Sequence, residues 1–188
     1  PSRHRPGGPV LHKGKAMNVM GFQATDTAQV GTSDLTALAA HLCADAPELP
    51  QGFVTAVLAA VAPEDLAPLT PDCLAVLLKE AWTHVAGRPR GEPSVRVFNP
   101  ELKGEAVTVV EAVNDDMALL FDSIAGTLAE RGLELKLAAH PILHVERNAS
   151  GTVTGLEAPS AKGERSEDNR ESLIHIHVSA IGAAEGLQ

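Results

Sequence analysis

In the stretch Val109-Val-Glu-Ala-Val-Asn-Asp-Asp-Met-Ala-Leu-Leu-Phe-Asp-Ser-Ile124 the hydrophobic pattern changes from the period of a strand to that of a helix. Val107 to Val113 read as a strand. Asn114, Asp115 and Asp116 then supply helix caps, since a side-chain oxygen there can accept from an unpaired backbone N–H. The spacing predicts a helix over 116–131 with Leu119, Leu120, Phe121, Ile124 and Leu128 on its apolar face, ended by Gly132.

Outward from this junction the pattern stays that of a small sheet. Upstream, Val95 and Val97 alternate with Arg96 until Asn99-Pro100 stops the strand. Downstream, Leu133 to Arg147 alternates, with Leu133, Leu135, Leu137, Leu143 and Val145 on one face and Glu134, Lys136, His140, His144 and Glu146 on the other. Pro141 has no N–H to give a ladder, so it marks a bulge or an edge. A turn at 148–151, a short strand at 152–156 and a charged loop at 158–170 lead to a last strand, 171–180. There Ile174, Ile176 and Val178 face one way, His175 and His177 the other.

The fold class is α+β, an antiparallel sheet of ferredoxin-like split βαβ type with its helices on one face and the other face open. A further helix and edge strand are expected past Gln188, so residues 94–188 read as a truncated domain.

Ahead of it, 88–93 (Arg-Pro-Arg-Gly-Glu-Pro) form a linker and 33–87 a helical region. Ser33 caps a first helix, and Phe53, Val54, Val57, Leu58 and Val61 line a second. Pro63 to Leu66 form one short turn. The best-marked helix starts at Thr70-Pro71-Asp72 and ends at Gly87. Such helices bury little alone, so they are expected to dock on a sheet or another subunit. Residues 1–32 read as a disordered tail, and both ends as cuts through a longer protein.

Composition narrows the function. A formal net charge of −9 excludes a nucleic-acid binder, which needs a basic face. No run of 18 apolar residues is present, so no membrane-spanning helix is expected. Cys43 and Cys73 read as free thiols, which suits the cytoplasm. There is no Gly-x-Gly-x-x-Gly turn and hence no dinucleotide cradle: no cofactor, metal or catalytic residue is assigned to this chain.

The strand-to-helix junction resembles the start of an ACT domain, the small βαββαβ regulatory module that often binds amino acids. Asp115, Leu119 and Leu120 match its Asp-Arg-Pro-Gly-Leu-Leu pattern, whereas Asp116, Met117 and Ala118 replace Arg, Pro and Gly. A longer ordered series comprises Pro63 to Leu66, Thr70-Pro71, Val95 to Pro100, Val109 to Met117, His140-Pro141 and Glu171 to Ile176. Over about residues 34–180 it is similar to the N-terminal region of the large bacterial NAD-dependent glutamate dehydrogenases. The resemblance implies a cytoplasmic homo-oligomer whose catalytic domain lies elsewhere in the protein. That domain would convert glutamate to 2-oxoglutarate and ammonia and reduce NAD. It also implies partners: other domains or subunits of the same enzyme, and an amino-acid effector.

The effector candidates are Asn114, Asp115, Asp116, Met117 and Ala118. Helix N–H groups there can hold a carboxylate and the acids an ammonium. Against this stand simple capping, and repulsion between two acids and a carboxylate ligand. A structural or oligomerisation spacer is the first alternative. A metal-binding module built from His140, His144, His175 and His177, if they share a face, is the second. Glu111 lies among inward-facing valines and needs a partner, for which Arg96 is available; otherwise its face is a domain contact with Val110 and Ala112 inward.

Overall fold

The computed structural model describes residues 32–156, apart from 103 and 105, and residues 169–182. The tail read at 1–32 (save Thr32), most of the 158–170 loop and the residues after 182 lie outside the described residues.

Among the described residues four helices come first: α1 (Thr32–Asp45), α2 (Gln51–Ala59), the single turn α3 (Pro63–Leu66) and α4 (Pro71–Gly87). α4 starts as its sequence dictates. Thr70 Oγ1 accepts from the Cys73 N–H at 3.3 Å, and Pro71 occupies a position whose missing N–H costs nothing. The strands are β1 (Ser94–Phe98), β2 (Val107–Asp115), β3 (Leu135–Ala139), β4 (Ile142–Arg147), β5 (Val153–Leu156) and β6 (Arg170–Ser179); α5 (Leu120–Glu130) joins β2 to β3.

All pairs are antiparallel, in the order β1-β2-β6-β4-β5, with β3 also on β6. β6 is the axis of the sheet. One edge carries β2 over its whole length; the other carries β4 at Arg170 to Ser172 and β3 at His175 to Val178. The alternating segment 133–147 is thus one strand path broken at Pro141, whose carbonyl accepts the Leu173 N–H at 3.2 Å. Leu133 leaves the face expected for it. Gly132 (φ 74°) turns the chain there, and the Leu133 N–H closes onto the Leu128 carbonyl, so Leu133 packs with α5.

Both faces of the sheet are covered. On one side Ala112, Ile174, Ile176 and Val178 meet Leu120, Phe121, Ile124 and Leu128 of α5. On the other, Val113, Leu137, Leu143, Val145 and Leu173 enter a larger core with α1, α2 and α4. The face expected to stay open is therefore filled by the chain's own helical region. Burial of Phe53, Val54, Leu58 and Val85 against the strands is the reason: α2 and α4 each have an apolar stripe that finds its complement there.

The α5 boundary also differs from expectation. β2 continues to Asp115, in register with Glu171, and the helix begins only at Leu120. Leu119 holds the entry position at φ 65°, a left-handed conformation, with no side-chain cap.

Phe53 is fully buried and packs on Trp82 with ring centroids 5.2 Å apart. Replacing Phe53 by Ala should remove about 3–5 kcal/mol of stability. In urea, Trp82 fluorescence and the far-UV strand signal should shift together. A strand signal left at the wild-type midpoint would show the two layers to be independent.

Candidate functional site

The loop Asn114 to Ala118 is held by ion pairs. Asp115 Oδ1 accepts from Arg88 Nη2 at 2.6 Å, and Asp116 pairs with Arg170. The Asp116 N–H bonds the Arg170 carbonyl at 3.1 Å, which extends the β2–β6 ladder by one step. Neither acid caps α5: the arginines draw both carboxylates toward the start of β6. Asn114 Nδ2 donates to the Met117 sulfur at 3.2 Å, and Met117 and Leu119 are exposed.

Behind the loop lies a buried network. The Arg88 side chain has no exposure; its Nε donates to the Glu92 carbonyl at 2.6 Å. Arg88 Nη1 sits 2.7 Å from Glu171 Oε2, off the line that a hydrogen bond needs. Glu171 is gripped at both oxygens by Arg147, at 2.9 and 3.0 Å, and Arg147 Nη1 also reaches the carbonyls of Arg88 and Gly151. Arg88, Arg147 and Arg170 thus balance Asp115, Asp116 and Glu171. The end of α4, the end of β2, the start of β6 and the end of β4 are tied at one point. Sequence reasoning missed this cluster, because a basic residue in a Pro/Gly-rich linker carries no local sign of burial.

A second cluster surrounds Glu111, fully buried in the middle of β2. Oε2 accepts from Arg96 Nε at 2.6 Å and His84 Nδ1 at 2.9 Å; Oε1 accepts from His175 Nδ1 at 2.7 Å. Arg96 reaches on to Glu80 at 3.0 Å. Beyond His84, Nε2 meets Ser94 Oγ at 2.9 Å; beyond His175, Nε2 meets His177 Nε2 at 2.9 Å. The partnership with Arg96 is the one that adjoining strands allow. His84 comes from α4, and no local pattern could have paired it with a strand.

Burial would raise the Glu111 carboxyl pKa, but the bonds from His175, His84 and Arg96 outweigh it and hold the group well below the usual carboxylate range. Burial, with the neighbouring His175, pushes His177 down to about 3, against the opposing pull of Glu111. On the other face, His140 is pushed down by burial, offset in part by Asp116 and Asp122.

Hydroxyl, imidazole and carboxylate at Ser94, His84 and Glu111 stand in the order of a nucleophilic triad. The cavity at the cluster lies elsewhere, beside His175 and His177. The four histidines weighed as metal ligands do not converge. His140 stacks on Phe121 and bonds Ser172 on the α5 face, where the register also places His144, whereas His175 and His177 face the helical layer. Alternate strand residues share a face, but which face each strand shows is set by pairing. No cluster of three or more such groups among the described residues is arranged to hold a metal ion.

The succession β2-α5-β3-β4 on an antiparallel sheet is that of an α+β module of ACT-like, ferredoxin type. A sequence model of the family described as "Glutamate dehydrogenase, ACT1 domain" matches residues 53–188. The chain belongs to that family. It is 28% identical over 174 residues to the NAD-specific glutamate dehydrogenase of Pseudomonas aeruginosa, covering 89% of this chain and 10% of that protein. To the enzyme of the same name from Halomonas elongata it is 28% identical over 130 residues, covering 67% of this chain and 8% of that protein. The chain therefore spans about a tenth of the length of these relatives. No solved structure matches.

Arg88→Met leaves Glu171 with Arg147 as its one remaining ion-pair partner in the buried network. It should lower stability by about 3 kcal/mol in urea denaturation, the low end for a broken buried pair. Leu119→Gly relieves a left-handed side chain that is mostly exposed, and should raise the thermal midpoint through a gain of roughly 0.5–1 kcal/mol. A fall in that midpoint would mean that the Leu119 side chain contributes packing its exposure does not suggest.

Proposed function

We propose that the chain is the regulatory and assembly region of an NAD-dependent glutamate dehydrogenase. In this reading another part of a longer cytoplasmic, homo-oligomeric protein oxidises glutamate to 2-oxoglutarate and ammonia and binds the NAD. The region described here contacts other domains or subunits and senses an amino acid. The observation that carries the reading is the family match over residues 53–188, which runs through the helical layer and the sheet together. No described helix is long and apolar enough to cross a membrane.

The effector site is assigned to Asn114, Asp115, Asp116, Met117 and Ala118. Two bare acids would repel a ligand carboxylate, and the pairing of Asp115 with Arg88 and Asp116 with Arg170 removes that objection. A loop with both charges present and balanced suits a zwitterion, with Met117 and Leu119 exposed to meet its side chain. The same pairings favour the rival reading, a spacer whose ion pairs only hold the loop in shape.

Calorimetric titration of the chain with a panel of L-amino acids separates the two. Saturable heat with one or a few of them, abolished in Asp115→Asn, is the expected result. A flat trace with every amino acid favours the spacer. The enzyme assignment has its own test in glutamate-dependent NAD reduction by the full-length protein, and absence of that activity would overturn it.

A further inference from the structure

The Glu111 cluster dictates its own protonation pattern. A carboxylate only accepts, so His84 and His175 must both carry hydrogen on Nδ1. His84 Nε2 meets a hydroxyl, which can donate or accept, so that contact survives whether His84 is neutral or charged. The contact between His175 Nε2 and His177 Nε2, at 2.9 Å, is stricter: it holds only with a single hydrogen between the two nitrogens. With both rings neutral, His175 Nε2 is bare and His177 donates. One further proton fits, because either ring can become the donor while the other Nε2 stays bare. A second puts hydrogen on both facing nitrogens, and the contact must open.

We infer that His175 and His177 form a two-step proton sensor between α4 and the sheet, which stays closed with one added proton and opens with the second. The pair borders a cavity of ≈ 30 Å³ whose other walls are apolar, among them Leu74, Leu78 and Ala81 of α4 and Leu137 of β3. Among the described residues a doubly charged pair has no ion-pair partner there beyond Glu111, which Arg96 already neutralises. Among the described residues, the charged and titratable groups bonded to the pair or to its carboxylate are His84 from α4, Arg96 from β1 and Glu111 from β2, with Glu80 of α4 reached through Arg96; α2 and α3 line the cavity with apolar side chains only, and Glu64 and Asp65 of α3 stay out of that lining. Glu80 is half exposed and holds Arg96. Opening the pair pushes on α4, which His84 ties to the same carboxylate.

The sign follows from burial. A histidine depressed from 6.5 to about 3 takes up its proton more readily once opened, so the closed form loses stability as pH falls below about 6.5. Glu111 acts in the same direction, but only below its ordinary value of 4.5.

Trp82, the chain's single tryptophan, sits on α4 and reports the movement. Nitrogen NMR of the histidine rings and Trp82 emission should be followed together from about pH 7.5 to 4.5, the range in which imidazoles titrate. The expected neutral spectrum has hydrogen on Nδ1 of His175 and Nε2 of His177. Trp82 emission should hold steady through the first protonation and shift to the red with the second. In His177→Gln the amide still donates to His175 Nε2 but takes up no proton, and the red shift above pH 4.5 should vanish. Reversed tautomers in the wild-type protein would overturn the inference even if the variant fails to fold. So would emission that moves with the first proton, or a variant that keeps the wild-type transition.

Discussion

A carboxylate buried in the centre of a sheet must be met by donors on every open side, because no water reaches it to take their place. Glu111 imposes that demand on this protein. Its neighbours across the strands, Arg96 and His175, supply two donors, and the third is His84 of α4. The apolar stripes of α2 and α4 could slide on a flat aliphatic surface; a hydrogen bond from His84 to Glu111 and Ser94 sets their position. The cavity and the paired imidazoles beneath α4 are consequences of that docking.

The arginine network near the loop adds a second tie one turn further along the same C-terminal end of α4. Arg88 ends the helix, turns into the sheet and loses all exposure, which is tolerable only because Asp115, Glu171 and the Glu92 carbonyl surround it. Capturing Asp115 lengthens β2, delays the start of α5 and leaves Leu119 in a left-handed conformation at the entry. The junction that resembles an ACT loop is thus shaped by charges distant in sequence, Arg88 at the end of α4 and Arg170 at the start of β6. A ligand that competed with Asp115 for Arg88 would act directly on the end of α4, a physical route from that loop to the helical layer.

Much of this was legible residue by residue. Thr70-Pro71 marked α4 because capping is local, and the change of period after Val113 marked the strand-to-helix turn. The alternation from Leu133 to Arg147 marked one strand path with a bulge or edge at Pro141, because a missing N–H is visible in the chain itself; the structure splits that path into β3 and β4. The site was less readable. Asp115 and Asp116 looked like caps, since nothing nearby in sequence announces Arg88 or Arg170 as their partners. The histidines looked like one cluster, since a His-x-His pattern shows that two side chains share a face and not which face a third joins.

The sequence by itself determined the α+β class and the order of elements, because hydrophobic period and caps act over a few residues; for Glu111 it offered Arg96 or a domain contact and did not choose between them. Only the tertiary structure decided that the helical layer closes the second face of the sheet, that Arg88 is buried, and that His84 joins His175 on one carboxylate. Those contacts link residues between 27 and 83 positions apart. Which distant partner wins depends on how whole faces pack, and no local pattern carries that information.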